Sequence, residues 1–156
     1  MTRINPALVS PKMQKKGDAL YSAAKNENKD VLKLLLKHGA DPNMVWYNPL
    51  FQAVCSGSAE IAELLLIYGA KVDARYSTEC PTALMIACGW SRGLCEPGYG
   101  DERLCRNPNV QLVKVLLQHN ANPNLSDREG HTPLKLAKIN GLSDIILLLQ
   151  EHNANV

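Results

Sequence analysis

GHTPLKLAKINGLSDIILLLQEHNAN, residues Gly130 to Asn155, carries the pattern that decides how this chain folds. Ala137 stands three residues after Leu134 and 17 before Ala154. Ile145, Leu148 and Leu149 lie nine, six and five residues ahead of Ala154. Those spacings place the three on one helical face. The stretch therefore reads as a short helix, a tight connection and a second helix. Asn153 follows the second helix, and Asn and Gly best tolerate the left-handed conformation that closes one.

The same register recurs upstream. KHGADPN (37–43), IYGAKVD (67–73), QHNANPN (118–124) and EHNANV (151–156) align on Ala40, Ala70, Ala121 and Ala154. Seventeen residues ahead of three of these stand Ala23, Ala53 and Ala137, each preceded at three residues by Leu20, Leu50 or Leu134. In the third copy the match is Ala87, after Leu84, and it lies 34 residues ahead of Ala121, so this copy carries 17 extra residues. The second-helix faces repeat as Val31/Ile61/Leu112/Ile145, Leu34/Leu64/Val115/Leu148 and Leu35/Leu65/Leu116/Leu149. Gly39, Gly69, Asn120 and Asn153 close those helices, with His38, Tyr68, His119 and His152 in the last turn. An imidazole there suits the helix dipole better than a metal-ligand role, because the histidines fall about one copy apart. Such units bury enough apolar surface only when they stack.

With this register the sequence resembles the ankyrin repeat family, whose unit of about 33 residues contains T-P-L-H-x-A. Besides Gly130 to Asn155, the second copy reads NPLFQAVCSGSAEIAELLLIYGAKVD and the third begins PTALMIAC. The first, GDALYSAAKNENKDVLKLLLKHGADPN, resembles the family's N-terminal capping unit. The resemblance implies an all-α solenoid of helix-turn-helix units joined by β-hairpin-like loops. Its expected organisation is an N-terminal extension over 1–17 and a repeat domain over 18–156. The expected repeats are 18–43, 44–73, 74–124, with an insertion near 89–107, and 125–156. Tyr21, Phe51, Met85 and Lys135 replace the His of the family motif, so the hydrogen bond it supplies there is missing. The step from Ala40 to Ala70 is 30 residues, so the hairpin at Met44-Val45-Trp46-Tyr47 is expected to be short and irregular.

The resemblance also implies a curved stack that binds other proteins through hairpin tips and an inner face of first helices, as an adaptor or inhibitor. A segment of a larger repeat protein, or a host-directed effector of a microbe or virus, uses the same module. Met44, Trp46, Tyr47, Arg75, Tyr76 and Arg128 fall at or near hairpin tips, and Trp, Tyr and Arg are enriched at binding hot spots. Trp46 either contacts a partner or folds back as local packing. Trp90, at the start of the insertion, either packs over helix ends or is presented to a partner, and the insertion is expected to leave the inner groove unblocked. Leu147 stands where the other copies carry Lys33, Glu63 and Lys114, which makes Ile145 to Leu149 apolar on every side. That points to partner contact or weak self-association through the last copy.

Composition excludes other classes. Seventeen Lys and Arg against fifteen Asp and Glu leave +2, too near balance for nucleic acid or an anionic membrane to be the expected partner. No apolar run is long enough to span a bilayer. The first residues, MTRINPALVSPKMQKKG, lack the apolar core of a secretory signal. Cys55, Cys80, Cys88, Cys95 and Cys105 form no C-x-x-C pair, and the spacings of 8, 7 and 10 among the last four match no zinc motif. Unlinked thiols in a cytoplasmic setting are the expectation, with a Cys95–Cys105 disulfide and zinc as alternatives, and Cys88 as a small core residue. No cofactor is expected. Cys95, Cys105, Ser91, His119 and His131 are potential catalytic groups, but G-x-S-x-G, H-E-x-x-H and a phosphate-cradling G-x-x-x-x-G-K are absent, so no enzyme is expected. Asn107-Pro108 predicts an N-cap and first helical residue for the helix after the insertion.

Overall fold

The computed structural model describes residues 19–44, 48–75, 80–90 and 108–154. Eight helices occupy these residues, and no strand is found among them. They are α1 (19–25), α2 (Lys29–Lys37), α3 (Pro49–Ser56), α4 (Ala59–Ile67), α5 (Ala83–Ala87), α6 (Val110–Gln118), α7 (Pro133–Ile139) and α8 (Ser143–Glu151).

Local chemistry explains where each begins. The first helices start at capping side chains. Asn48 Oδ1 accepts from Leu50 N–H at 2.9 Å, Thr82 Oγ1 from Met85 N–H at 3.3 Å and Thr132 Oγ1 from Lys135 N–H at 3.3 Å. Pro49 and Pro133 follow two of these caps, where a missing N–H costs nothing. The helix after the insertion starts two residues later than the sequence predicts. Its N-cap is Asn109, whose Oδ1 accepts from Gln111 and Leu112, rather than Asn107. Asn109 also donates through Nδ2 to Gly57 O at 3.0 Å, a tie to the preceding unit.

The second helices all end the same way. Gly39, Gly69, Asn120 and Asn153 have φ of 77°, 88°, 63° and 61°. The reversal lets the next residue donate back into the last turn: Ala40, Ala70, Ala121 and Ala154 N–H reach the carbonyls of Leu35, Leu65, Leu116 and Leu149 at 2.9–3.0 Å. The recurring alanine is thus the residue that fastens each helix end. His38 and His152 add a ring Nδ1–H donated to Leu34 O and Leu148 O at 2.8 and 2.9 Å.

Helices pack within pairs, α3 on α4, α5 on α6 and α7 on α8, and between neighbours, α2 on α4 on α6 on α8 and α3 on α5 on α7. One continuous core runs through the described units. Leu20, Leu50, Leu84 and Leu134 are buried in the first-helix layer, and Ile61, Leu65, Leu112, Leu116, Ile145 and Leu149 in the second. Cys88 is a buried free thiol within that core, and burial pushes its pKa up. The expected pool of unlinked thiols is corrected in part, because Cys55 and Cys80 are disulfide-bonded.

Candidate protein-binding surface

The described parts of the segments that join each second helix to the next first helix are aligned by a side-chain ladder. Asn43 Nδ2 donates to Gly69 O at 2.9 Å while its Oδ1 accepts from Lys71 N–H at 2.8 Å. One step on, Asp73 accepts Asn122 N–H through both oxygens, at 3.2 and 3.1 Å. Asn124 Nδ2 then donates to Asn153 O at 3.1 Å. Asn43, Asp73 and Asn124 share one register, three residues after the fastening alanine. Burial raises the Asp73 pKa, against the lowering effects of the Asn122 N–H and the Arg75 charge.

The last hairpin is organised around Asp127. Its Oδ1 accepts from Glu129 N–H at 2.9 Å and His131 N–H at 2.8 Å. Its Oδ2 takes the Trp90 indole N–H at 3.1 Å and lies 3.2 Å from His131 Nδ1. Gly130, at φ 75°, makes the turn, and its N–H donates to Asp127 O at 3.1 Å. Burial opposes ionisation of Asp127, but those donors together hold its carboxyl below the ordinary range.

These contacts re-sort the residues that the sequence singles out. Trp90 is only 6% exposed and is part of the fold, so the packed alternative is the one found. Arg75 is half-buried, and its Nη1 donates to Ser126 O at 2.8 Å in the next hairpin. Arg75 thus makes a contact within the stack itself. Met44 is half-buried and Arg128 exposed. Trp46, Tyr47 and Tyr76 lie outside the described residues, as does insertion segment 91–107. Leu147 is 61% exposed.

The inner row also differs from expectation. Tyr21 and Phe51 are half-buried and Lys135 is exposed, whereas Met85, in the same register, is fully buried, as is the rest of α5. α5 thus leaves no side chain exposed. Asp127 and the Asn43–Asp73–Asn124 ladder were not among the residues chosen from sequence. Their signals were present in the Asp-x-x-Gly turn and in the recurring Asn/Asp after each alanine.

A row of stacked helix pairs, with no helix long and apolar enough to cross a membrane among the described residues, defines a repeat scaffold. The model of ankyrin repeats (3 copies) matches residues 4–76 and 103–156, so the chain belongs to the ankyrin repeat family. Among curated relatives, the chain is 31% identical over 144 residues to ankyrin repeat and KH domain-containing protein mask-1 of Caenorhabditis elegans, covering 88% of this chain and 5% of that protein. It is 34% identical over 143 residues to a putative ankyrin repeat protein of fowlpox virus, covering 88% and 37%. Human ankyrin repeat and SOCS box protein 2 is 44% identical over 69 residues, covering 44% and 11%. The chain therefore spans well under half the length of these relatives. Ankyrin repeats are protein-interaction modules, in general without catalytic activity of their own.

Proposed function

We propose that this chain is a non-catalytic binding module, an adaptor or inhibitor that engages a protein partner through its hairpin tips and the open parts of its inner face. Family membership is the observation that supports it most. With Arg75 and Trp90 committed to internal bonds, the contact residues reduce to Met44, Trp46, Tyr47, Tyr76 and Arg128 at the tips, with Leu147 as a separate contact that serves a partner or weak self-association. Nucleic acid and membrane surfaces are not the proposed partners, given the +2 charge. Affinity capture on the immobilised chain identifies the partner, and alanine at Trp46 and Tyr76 then measures the tips. Each hot-spot loss should reach at least ~2 kcal/mol of binding with the melting temperature held. Lost stability with unchanged affinity would show that these side chains serve packing.

The relatives' length favours a second reading, in which the module is one segment of a larger ankyrin-repeat protein. The fowlpox relative keeps open a host-directed viral or microbial role. The disulfide-bonded Cys55 and Cys80 favour an oxidising compartment over the cytoplasm for the folded form. Thiol counting on protein taken from its native source, alkylated before lysis, tests this: five reactive thiols after denaturation would place it in a reducing one.

A further inference from the structure

We infer that the outward face of α2 is a docking site for an amphipathic helix of another protein, one that carries a basic residue followed by apolar residues three and seven positions later. This goes beyond the hairpin and inner-face contacts of the proposed function and uses none of their residues.

The inference starts from what each second helix presents to the unit before it. In α4, α6 and α8 most of those positions are covered: Ile61, Leu65, Leu112, Val115, Leu116, Ile145 and Leu149 are buried, and Leu64 and Leu148 are half-buried. The same register in α2 holds Val31 and Leu34, which are 43% and 56% exposed, with Leu35 half-buried beside them. Among the described residues, the first unit thus carries the apolar residues of an internal unit on an exposed face.

At the other end of the stack the chemistry is reversed. Ala24, Leu32 and Leu36 are the buried residues that the first unit turns toward the second. In the last unit their counterparts are Lys138, Ile146 and Gln150, and the two polar ones are exposed. The C-terminal face is thus adapted to water and the N-terminal face is not.

The internal joint shows what fits such a face. α2 packs on α4, Leu32 and Leu36 are the buried residues of α2, and Lys29 Nζ lies 2.8 Å from Glu60 Oε2 at the rim. Asp30 is the exposed counterpart of Glu60 on α2, so the open face carries the same acidic rim beside the same apolar pocket. Its complement is a helix with the Lys29–Leu32–Leu36 spacing. Neither end of the described stack offers one in a second copy. Its own Leu32 and Leu36 are buried, and its last helix has Ser143, Ile146 and Gln150 at those positions, lacking both the charge and the second apolar group.

A fluorescent peptide with the α2 sequence, lengthened and stapled to hold the helix, serves as the probe for the intact chain. Binding should weaken at least ~10-fold with Leu34→Glu, a change at an exposed site that leaves the fold intact. Asp30→Lys should weaken it several-fold, and a peptide with Glu in place of its first Lys should recover binding to that variant. Binding indifferent to Leu34→Glu would overturn the proposal, because the peptide would then be displacing α2 inside the stack. Hydroxyl-radical labelling of the free chain should modify Val31 and Leu34. Their protection in monomer would mean that the chain covers this face itself, and protection that grows with concentration would mean that a second copy does. Either would overturn it.

Discussion

The middle of the stack and its ends use one register and meet different surroundings. Val115 is 3% exposed, whereas Leu34, its counterpart in the first unit, is 56% exposed. Leu66 and Leu117 are buried, whereas Gln150, their counterpart in the last unit, lies in water. What a side chain contributes is therefore set by its neighbours along the stack, and identical residues carry unequal shares of stability. Repeat scaffolds behave this way because each unit contacts only the next.

The sharpest way to break that comparison is to truncate one leucine inside the stack and one on its open end. Leu116→Ala removes a fully buried side chain at a joint between two units and should cost ~2–5 kcal/mol. Leu34→Ala should change stability by less than ~0.5 kcal/mol, as expected of an exposed site. Urea unfolding of both variants checks this. Equal losses would mean that the first unit is covered in solution.

Covalent ties add a second contrast. Cys55 and Cys80 belong to the second and third units, in the middle of the chain, and both are disulfide-bonded. Reduction should lower stability by ~2–4 kcal/mol. Cys55→Ser with Cys80→Ser should abolish the response that reduction produces through these residues, and Cys88→Ala should leave it intact. Thermal melts with and without a phosphine reductant separate these outcomes.

The hairpin ladder offers a smaller effect. Asn43 both accepts and donates across its joint, whereas ionised Asp73 can only accept. Burial raises the Asp73 pKa in the folded chain, so its contribution is fully present below the ordinary carboxylate value of about 3.9 and is lost as pH rises through the folded value. At neutral pH the carboxylate is thus a cost. Asp73→Asn removes it and restores a donor, so the variant should gain up to ~1 kcal/mol at pH 7, with the gain shrinking toward pH 3. A gain that does not change with pH would assign the effect to the hydrogen bond alone.

Much of the fold was legible because its signals are local. The alanine register, the helix-closing Gly or Asn and the Thr132-Pro133 start each depend on a few adjacent residues. The choice of Asn109 as N-cap was not, since both asparagines precede an apolar helix and the tie from Asn109 to Gly57 O joins residues far apart in the chain. The surface was harder to read. Arg75 and Trp90 have the composition of contact residues, yet their partners, Ser126 O and Asp127, lie 51 and 37 residues away in the chain. Cys55 and Cys80 likewise gave no spacing signal, because a disulfide depends on positions in space. The exposure of Val31 and Leu34 was likewise illegible, because their counterparts Ile61 and Val115 are buried by a neighbouring unit and the register alone does not say which units have one.

Leu147 itself gives the smallest prediction. It is exposed at the position where Lys33, Glu63 and Lys114 are exposed too, so it projects sideways from the stack rather than off its end. Replacing it should disturb no packing, and the sign should follow the helix. Asp144 lies three residues before it and Glu151 four after, in a helix that ends at Glu151. Leu147→Lys places a cation between two acids near the C-terminal end of the helix dipole and should stabilise by ~0.3–0.5 kcal/mol. Leu147→Glu adds a third acid to that face and should destabilise by a similar amount. Light scattering distinguishes this local effect from association. If Leu147 mediates self-contact, both variants should be equally monomeric at concentrations where the native chain associates, because only the lost apolar surface matters there. If association follows the sign of the charge instead, the contact is electrostatic and lies elsewhere.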